Sequence, residues 1–214
     1  MTDNKLPRCV IIGGAPIGNY GYIRSKLREN DFAVYCDSGL RHLGKLHLEP
    51  SLIVGDFDSH PEPKIDCETI VLPCKKDDTD TFCAVREAVL RGYSDFLLVG
   101  VAGGRLDHTL GNLSILLRLD SLGKKGCIID DYSEMEIVSD KSACITDEYL
   151  YFSLLNISGC AKGISIKGAE YPLDNGEIMC EYQYGISNRV LPGGRAEVSL
   201  SEGRLLLVKV FSDS

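Results

Sequence analysis

No run of apolar residues in this chain approaches the ~18 needed to cross a bilayer. The start, MTDNKLPR, lacks the apolar h-region of a secretory signal. The expectation is a cytoplasmic protein with no membrane partner. Internal repeats and low-complexity stretches are also missing, so collagen, coiled coil and disorder do not describe the chain. Positive charge is in deficit: 23 Lys+Arg stand against 31 Asp+Glu, a net charge of −8. A nucleic-acid binder carries a basic face, so no nucleic-acid partner is expected. A nucleotide substrate stays open, because acidic sites take phosphates through divalent cations. The nine cysteines include no CxxC pair, which argues against a zinc ribbon or a thioredoxin motif. Their number is odd and several lie in apolar runs, such as Cys9 in CVII and Cys36 in FAVYC. They read as reduced core residues.

What is present is ordinary globular composition, 44% hydrophobic and 25% charged over 214 residues. Folding a chain of this size buries roughly 70% of its unfolded surface, enough for one good core or two domains. The first ~120 residues alternate short apolar runs (Cys9–Ile12, Phe32–Cys36, Leu52–Val54, Thr69–Leu72, Phe96–Val101) with helical patterns. Apolar runs without polar alternation predict strands buried on both faces, as in a parallel sheet. Thr81–Arg91 places Phe82, Val85 and Val89 on one stripe, with Gly92 as the stop. Leu106, Leu110, Leu113 and Leu117 mark a second stripe. After Gly123-Lys124-Lys125-Gly126 the texture becomes short β-type segments, beginning with Cys127–Ile129. Asp174-Asn175-Gly176 and Pro192-Gly193-Gly194 read as turns between them. The reading is an α/β N-terminal domain, 1–125, with a mostly parallel Rossmann-like sheet. An all-β sandwich, 126–214, follows it.

In an open parallel sheet, ligands bind beyond the carboxyl ends of the strands. Acidic residues follow four successive strands there: Asp37; Asp56 and Asp58 in GDFDS; Asp77, Asp78 and Asp80 in KKDDTD; and Asp107 in GGRLDH. Carboxylates gathered on one rim repel unless cations neutralise them, and Mg²⁺ suits a phosphate-handling site. Spacing alone leaves open which of them would hold the metal. Asp56 and Asp58 converge on one metal only if the backbone turns between them, as Gly55 permits. Each piece also has a plainer reading. Asp78, Thr79 or Asp80 could be a helix N-cap, DxD a solvated turn, and Asp37-Ser38-Gly39 an Asx turn. Gly14, in the Gly13-Gly14-Ala15-Pro16 loop, would let a phosphate approach backbone N–H groups. That loop is neither a Walker A nor a GxGxxG motif. Gly104 and Arg105 open a helix and bring a permanently charged fork, or Arg105 is a surface charge. His108 and Asn112 share a helix face and could line the cleft, or His108 could satisfy a buried backbone group. His42, His47 and His60 have no ligand-like spacing and are assigned nothing.

CDSG at 36–39, GDFDS at 55–59, KKDDTD at 75–80 and GGRLDHTLGN at 103–112 resemble the thiamine pyrophosphokinase family in order and spacing. IKGAEYPL at 166–173 and GISN at 185–188 are similar to its thiamine-binding domain. The resemblance covers nearly the whole chain. It implies an enzyme that transfers the pyrophosphoryl group of ATP to the hydroxyl of thiamine, giving thiamine pyrophosphate and AMP, with Mg²⁺, as a homodimer. By resemblance, Asp37, Asp56, Asp58 and Asp80 hold the metal, and Asp56, Asp58, Asp80, Arg105 and Asp107 are catalytic. Gly14, Asp37, Asp78, Thr79, Gly104, His108 and Asn112 bind nucleotide and phosphate. Tyr171, Ser187 and Asn188 bind thiamine. The family often has Trp before the proline; here that residue is Tyr171 and the chain has no Trp. Tyr171 could instead plug the end of the β domain. Asp80 and Asp107 both stand as candidates for the base that takes the hydroxyl proton. Two other functions are compatible with the residues: another Mg²⁺-dependent nucleotide phosphotransferase acting on a small alcohol, and a non-catalytic thiamine or nucleotide sensor.

Overall fold

The computed structural model describes residues 6–57, 65–75 and 77–212. The chain divides into two compact units, Met1–Asp131 and Tyr132–Ser214.

The first unit is built on six strands: β1 (Cys9–Ile12), β2 (Phe32–Cys36), β3 (Leu52–Gly55), β4 (Thr69–Val71), β5 (Asp95–Val99) and β6 (Lys125–Ile129). Every pairing is parallel, in the order β6-β5-β1-β2-β3-β4. All residues of β1 and β3 are buried, as their unbroken apolar runs require for a sheet covered on both faces. Each such Val, Ile or Leu contributes about 1.5–3 kcal/mol. Val10 and Ile12 share one face with Tyr35, Ile53, Leu97 and Val99. Ile23 of α1 (Tyr20–Lys26) and Leu46 of α2 (Leu43–Leu46) join that cluster. Helix α3 (Asp80–Leu90) lies against β1, β2 and β3, and α4 (Leu106–Ser121) against β6. At the start of the sheet Arg8 grips the Asp31 carboxylate in a fork, Nε to Oδ1 at 3.0 Å and Nη2 to Oδ2 at 2.6 Å.

The second unit holds eight strands: β7 (Ser133–Val138), β8 (Ala143–Thr146), β9 (Tyr151–Leu155), β10 (Cys160–Lys167), β11 (Leu173–Met179), β12 (Gly185–Asn188), β13 (Arg195–Ser199) and β14 (Leu205–Val210). Within the unit they pair antiparallel in two sets, β12-β9-β14-β7 and β11-β10-β13-β8. Both sets feed one buried cluster: Phe152, Leu154 and Leu207 from the first, Ile145, Ile166 and Val198 from the second. No helix occurs among its described residues.

Four local readings change in the structure. Cys127–Ile129 is not a β-unit segment: β6 pairs in parallel with β5, from Asp95↔Lys125 to Val99↔Ile129. The leucine stripe of α4 is only half right. Leu106 and Leu110 are exposed, and the buried set is Asn112, Ile115, Leu116 and Leu119. The helix carries two stripes of helical spacing, and packing selects the one bearing Asn112, whose amide has a backbone partner inside. Asp174-Asn175-Gly176 does not reverse the chain but lies within β11, with Asn175 at φ 51°. Register shifts in the β10–β11 pairing absorb those residues as bulges. None of the nine cysteines is in a disulfide, but Cys74, Cys144, Cys160 and Cys180 are exposed rather than core residues. Cys144 shows why: the two-residue period of β8 buries Ile145 and turns its neighbour outward.

Candidate functional site

The strand order places β1 at the point where the chain's windings diverge. After β1 the sheet grows towards β4, and β5 and β6 are then added on the other side of β1. The crevice at the carboxyl ends opens at such a point.

Asp37 immediately follows β2 and begins a 3-10 turn, Asp37–His42; it is buried. Asp56 immediately follows β3, whose last residue is Gly55. Gly55 serves by close approach: a β-carbon on it would stand 2.6 Å from that of Asp37. The left-handed residue of this loop is Phe57, at φ 51°, and not Gly55. Asp80 is the first residue of α3, and the helix is capped by Thr79, whose hydroxyl accepts from the Phe82 amide at 3.2 Å. The N-cap reading therefore holds for Thr79, which leaves Asp80 free of that duty. One carboxylate oxygen from each of Asp37, Asp56 and Asp80 lies within 4.8 Å of the others. The Oδ1 atoms of Asp37 and Asp80 are buried. Negative potential reaches the neighbouring thiol: Cys36 is pushed up to about 12, by burial first and the Asp80 charge next. Asp58 lies outside the described residues.

Three carboxylates this close, one of them buried, repel by several kcal/mol in a low-dielectric setting unless a cation sits among them. Hard carboxylate oxygens are the donors that Mg²⁺ takes from a protein, usually from one or two side chains, with the other positions left to water and phosphate oxygens.

The loop after β5 approaches the loop after β1. Gly13 N–H donates to Val99 O at 2.9 Å and Ala15 N–H to Gly100 O at 2.8 Å. Gly104, at φ 70°, is so placed that a β-carbon would stand 3.2 Å from Pro16. Arg105 and Asp107 then close an exposed fork, Nε to Oδ1 at 3.1 Å and Nη2 to Oδ2 at 2.5 Å. Asp107 also accepts from the His108 amide at 3.0 Å. The Arg105 guanidinium holds the Asp107 carboxyl well down, at about 2. His108 is exposed, so it does not satisfy a buried backbone group. Asn112 on the same helix is buried and donates to Val101 O at 2.7 Å, pinning α4 to the loop. Asp78 pairs with Arg86 at 2.9 Å. Gly14 packs against Ser38, whose side chain a β-carbon on Gly14 would overlap.

In the second unit, Tyr171 and Asn188 line a cavity of about 300 Å³ with Pro172, Tyr184 and Ile186. Ser187 stands outside that lining; it takes φ 58°, and its N–H donates to Ser153 Oγ at 3.0 Å.

Two stretches of the chain match family descriptions: residues 23–128 match "Thiamin pyrophosphokinase, catalytic domain" and residues 136–205 match "Thiamin pyrophosphokinase, vitamin B1 binding domain". The chain belongs to the thiamin pyrophosphokinase family. It is similar to the thiamine pyrophosphokinase of Bacillus subtilis strain 168, 25% identical over 207 residues, which are 93% of this chain and 96% of the relative. The crystal structure of thiamin pyrophosphokinase from Geobacillus thermodenitrificans matches with a TM-score of 0.80 and 28% identity, over 97% of this chain and 98% of that one. The Bacillus subtilis crystal structure shares the fold with a TM-score of 0.84 at 24% identity, over 96% and 100% of the two chains. As a member of this family the chain is an enzyme, a kinase-type transferase that moves the pyrophosphoryl group of ATP to thiamine.

Sequence reasoning missed three residues near these sites. Tyr184 and Ile186 line the β-unit cavity, and only the tertiary fold places them beside Tyr171. His42 was assigned nothing, because its partners are a backbone carbonyl and a tyrosine that no sequence spacing reveals.

Proposed function

We propose that the transfer takes place at a Mg²⁺ site held by Asp37, Asp56 and Asp80, with Asp58 from the same loop. The single observation that carries this reading is the convergence of those three carboxylates within 4.8 Å, Asp37 and Asp56 just after β2 and β3 and Asp80 at the start of α3. When bound there, Mg²⁺ supplies charge neutralisation at the phosphate oxygens. The protein's own groups do the rest. The Arg105 guanidinium leaves its fork with Asp107 to place fixed positive charge on the phosphates. Gly14 and Gly104, with Asp78, Thr79, His108 and Asn112, border the nucleotide. Asp80 or Asp107 takes the proton of the thiamine hydroxyl as it attacks the β-phosphorus and AMP departs. Asp107, kept at about 2 by Arg105, is a weak proton acceptor while the fork is closed.

Residues Met1–Asp131 act as the ATP-binding catalytic domain and Tyr132–Ser214 as a β-sandwich that takes thiamine through Tyr171, Ser187 and Asn188. The exposed Tyr171 ring suits the cationic thiazolium by cation–π contact. The enzyme works in the cytoplasm as a homodimer, without a nucleic-acid or membrane partner. Among the described residues no helix is long and apolar enough to cross a membrane.

The test is direct. Purified protein with MgATP and thiamine yields AMP and thiamine pyrophosphate, and chelation of the metal stops the reaction. Formation of ADP and thiamine monophosphate would overturn the pyrophosphoryl step; undiminished turnover in chelator would overturn the metal site.

A further inference from the structure

His42 is the one histidine among the described residues that is buried, and both of its ring nitrogens are engaged. Nε2 stands 3.0 Å from the Ala15 carbonyl oxygen and Nδ1 2.8 Å from the Tyr20 hydroxyl. A carbonyl oxygen only accepts, so Nε2 carries the proton and the neutral ring accepts from Tyr20 through Nδ1. Burial lowers the basicity of His42, which favours the same neutral ring. The residue ends the 3-10 turn that Asp37 begins, so one six-residue turn presents a carboxylate to the cluster and grips the loop after β1.

Independent packing holds the two pieces together. A β-carbon on Gly39 would collide with the Ile12 carbonyl, and one on Gly14 with the Ser38 side chain. The far end of the loop is fastened too: the Asp131 carboxylate accepts from Gly18 N–H at 2.8 Å and Asn19 N–H at 2.8 Å. Those amides stand at the start of α1, and an internal carboxylate takes them. Within Gly13–Pro16 the Gly13 and Ala15 amides are bonded to Val99 O and Gly100 O and proline has none, so Gly14 N–H is the amide left to meet a phosphate, and His42 holds the Ala15 carbonyl next to it.

We propose that His42 is a positioning residue. By its bond to Ala15, buttressed by Tyr20, it fixes the Gly13–Pro16 loop against the Asp37 turn in the shape that receives the phosphates of ATP. The inference rests on the nucleotide site proposed above. It requires a neutral, two-sided hydrogen-bonding side chain at position 42, which glutamine supplies and leucine does not.

The experiment compares His42→Leu, His42→Gln and Tyr20→Phe with the parent enzyme, measuring KM for MgATP, KM for thiamine, kcat and the melting temperature. His42→Leu should raise the ATP KM roughly tenfold, the loss of one buried hydrogen bond, with thiamine KM within about twofold. His42→Gln should recover most of that loss. Tyr20→Phe keeps the ring and the fold, and should raise the ATP KM by about threefold, a partial loss of the same kind. If His42→Leu does not fold, the Gln and Phe variants carry the test. Parallel rises of both KM values, a Gln variant no better than Leu, or a Tyr20→Phe enzyme with unaltered ATP KM would each overturn the proposal. Asp37→Asn run alongside separates the two readings. An Asp37 variant that fails while the His42 and Tyr20 variants are normal overturns only the positioning role. An Asp37 variant with full activity overturns the nucleotide site itself.

Discussion

Tyr171 and Asn188 are joined by two reciprocal hydrogen bonds. The Tyr171 N–H donates to Asn188 Oδ1 at 3.0 Å, and Asn188 Nδ2 donates to the Tyr171 carbonyl at 2.7 Å. Asn188 is buried and Tyr171 is 63% exposed. A ring so exposed, on a backbone so held, is presented rather than packed. Asn188→Asp keeps the acceptor and loses the donor. It should lower the melting temperature by several degrees, an effect of about 1–3 kcal/mol, and raise the thiamine KM. A melt and a thiamine titration check this.

Tyr171→Ala should raise the thiamine KM by roughly tenfold, while the ATP KM and the melting temperature stay close to the parent values. Tyr171→Trp should match or improve thiamine binding, because Trp offers the better cation–π face. A fall in melting temperature with both KM values degraded would mean that the ring is a packing plug.

Asp56→Asn removes one charge of the three-carboxylate cluster without changing shape. Turnover should drop on the order of 100-fold or more at saturating Mg²⁺. In metal-free buffer the melting temperature should hold or rise, since a like-charge repulsion is relieved. Parent-level turnover would remove Asp56 from the metal site.

Gly55→Ala tests the close approach of β3 to Asp37. The new methyl would meet the Asp37 β-carbon at 2.6 Å, so one of the two must shift. The expected outcome is a loss of stability of about 1–3 kcal/mol from overpacking, with a larger proportional loss of turnover because Asp37 is displaced. Thermal melts and steady-state kinetics on the same variant separate the two effects.

Asp107 should titrate at about 2 in the folded protein, well below its ordinary value of 3.8. The sign follows from the depressed value: the pair's contribution is present above pH 3.8 and fades as pH falls towards 2. Arg105→Met should return Asp107 to the ordinary carboxylate range, read from carboxyl chemical shifts across an acid titration. An acid limb of the activity profile above pH 5 would therefore belong to another group.

Much of the first unit was legible because a parallel sheet leaves a strong trace. Cys9–Ile12 and Leu52–Val54 are apolar without alternation since both faces are covered, and the acidic residues just beyond such runs mark the ligand-binding rim. Thr79 could be read as a cap and Gly92 as a helix stop, and both take those roles, Gly92 at φ 94°. The second unit was less legible. Strand β11 carries Asp174-Asn175-Gly176, a turn signature that antiparallel pairing overrides by bulging, and β8 is too short to stand out.

Residue types and local spacing determined by themselves that carboxylates follow successive buried strands and that Tyr171 is held extended before Pro172, whereas pyrophosphoryl transfer to thiamine was implied by the family resemblance of the motifs. These properties depend on neighbours a few residues apart. Tertiary structure alone decided which carboxylates meet. Asp37, Asp56 and Asp80 converge because parallel register aligns the ends of β2 and β3, Gly55 lets them approach, and α3 packs against those strands with Asp80 at its start. It also decided that Arg105 folds back on Asp107, that the face of α4 bearing Asn112 is the buried one, and that His42 reaches Ala15. Those pairings compete for burial and hydrogen bonds across distances along the chain that periodicity does not encode.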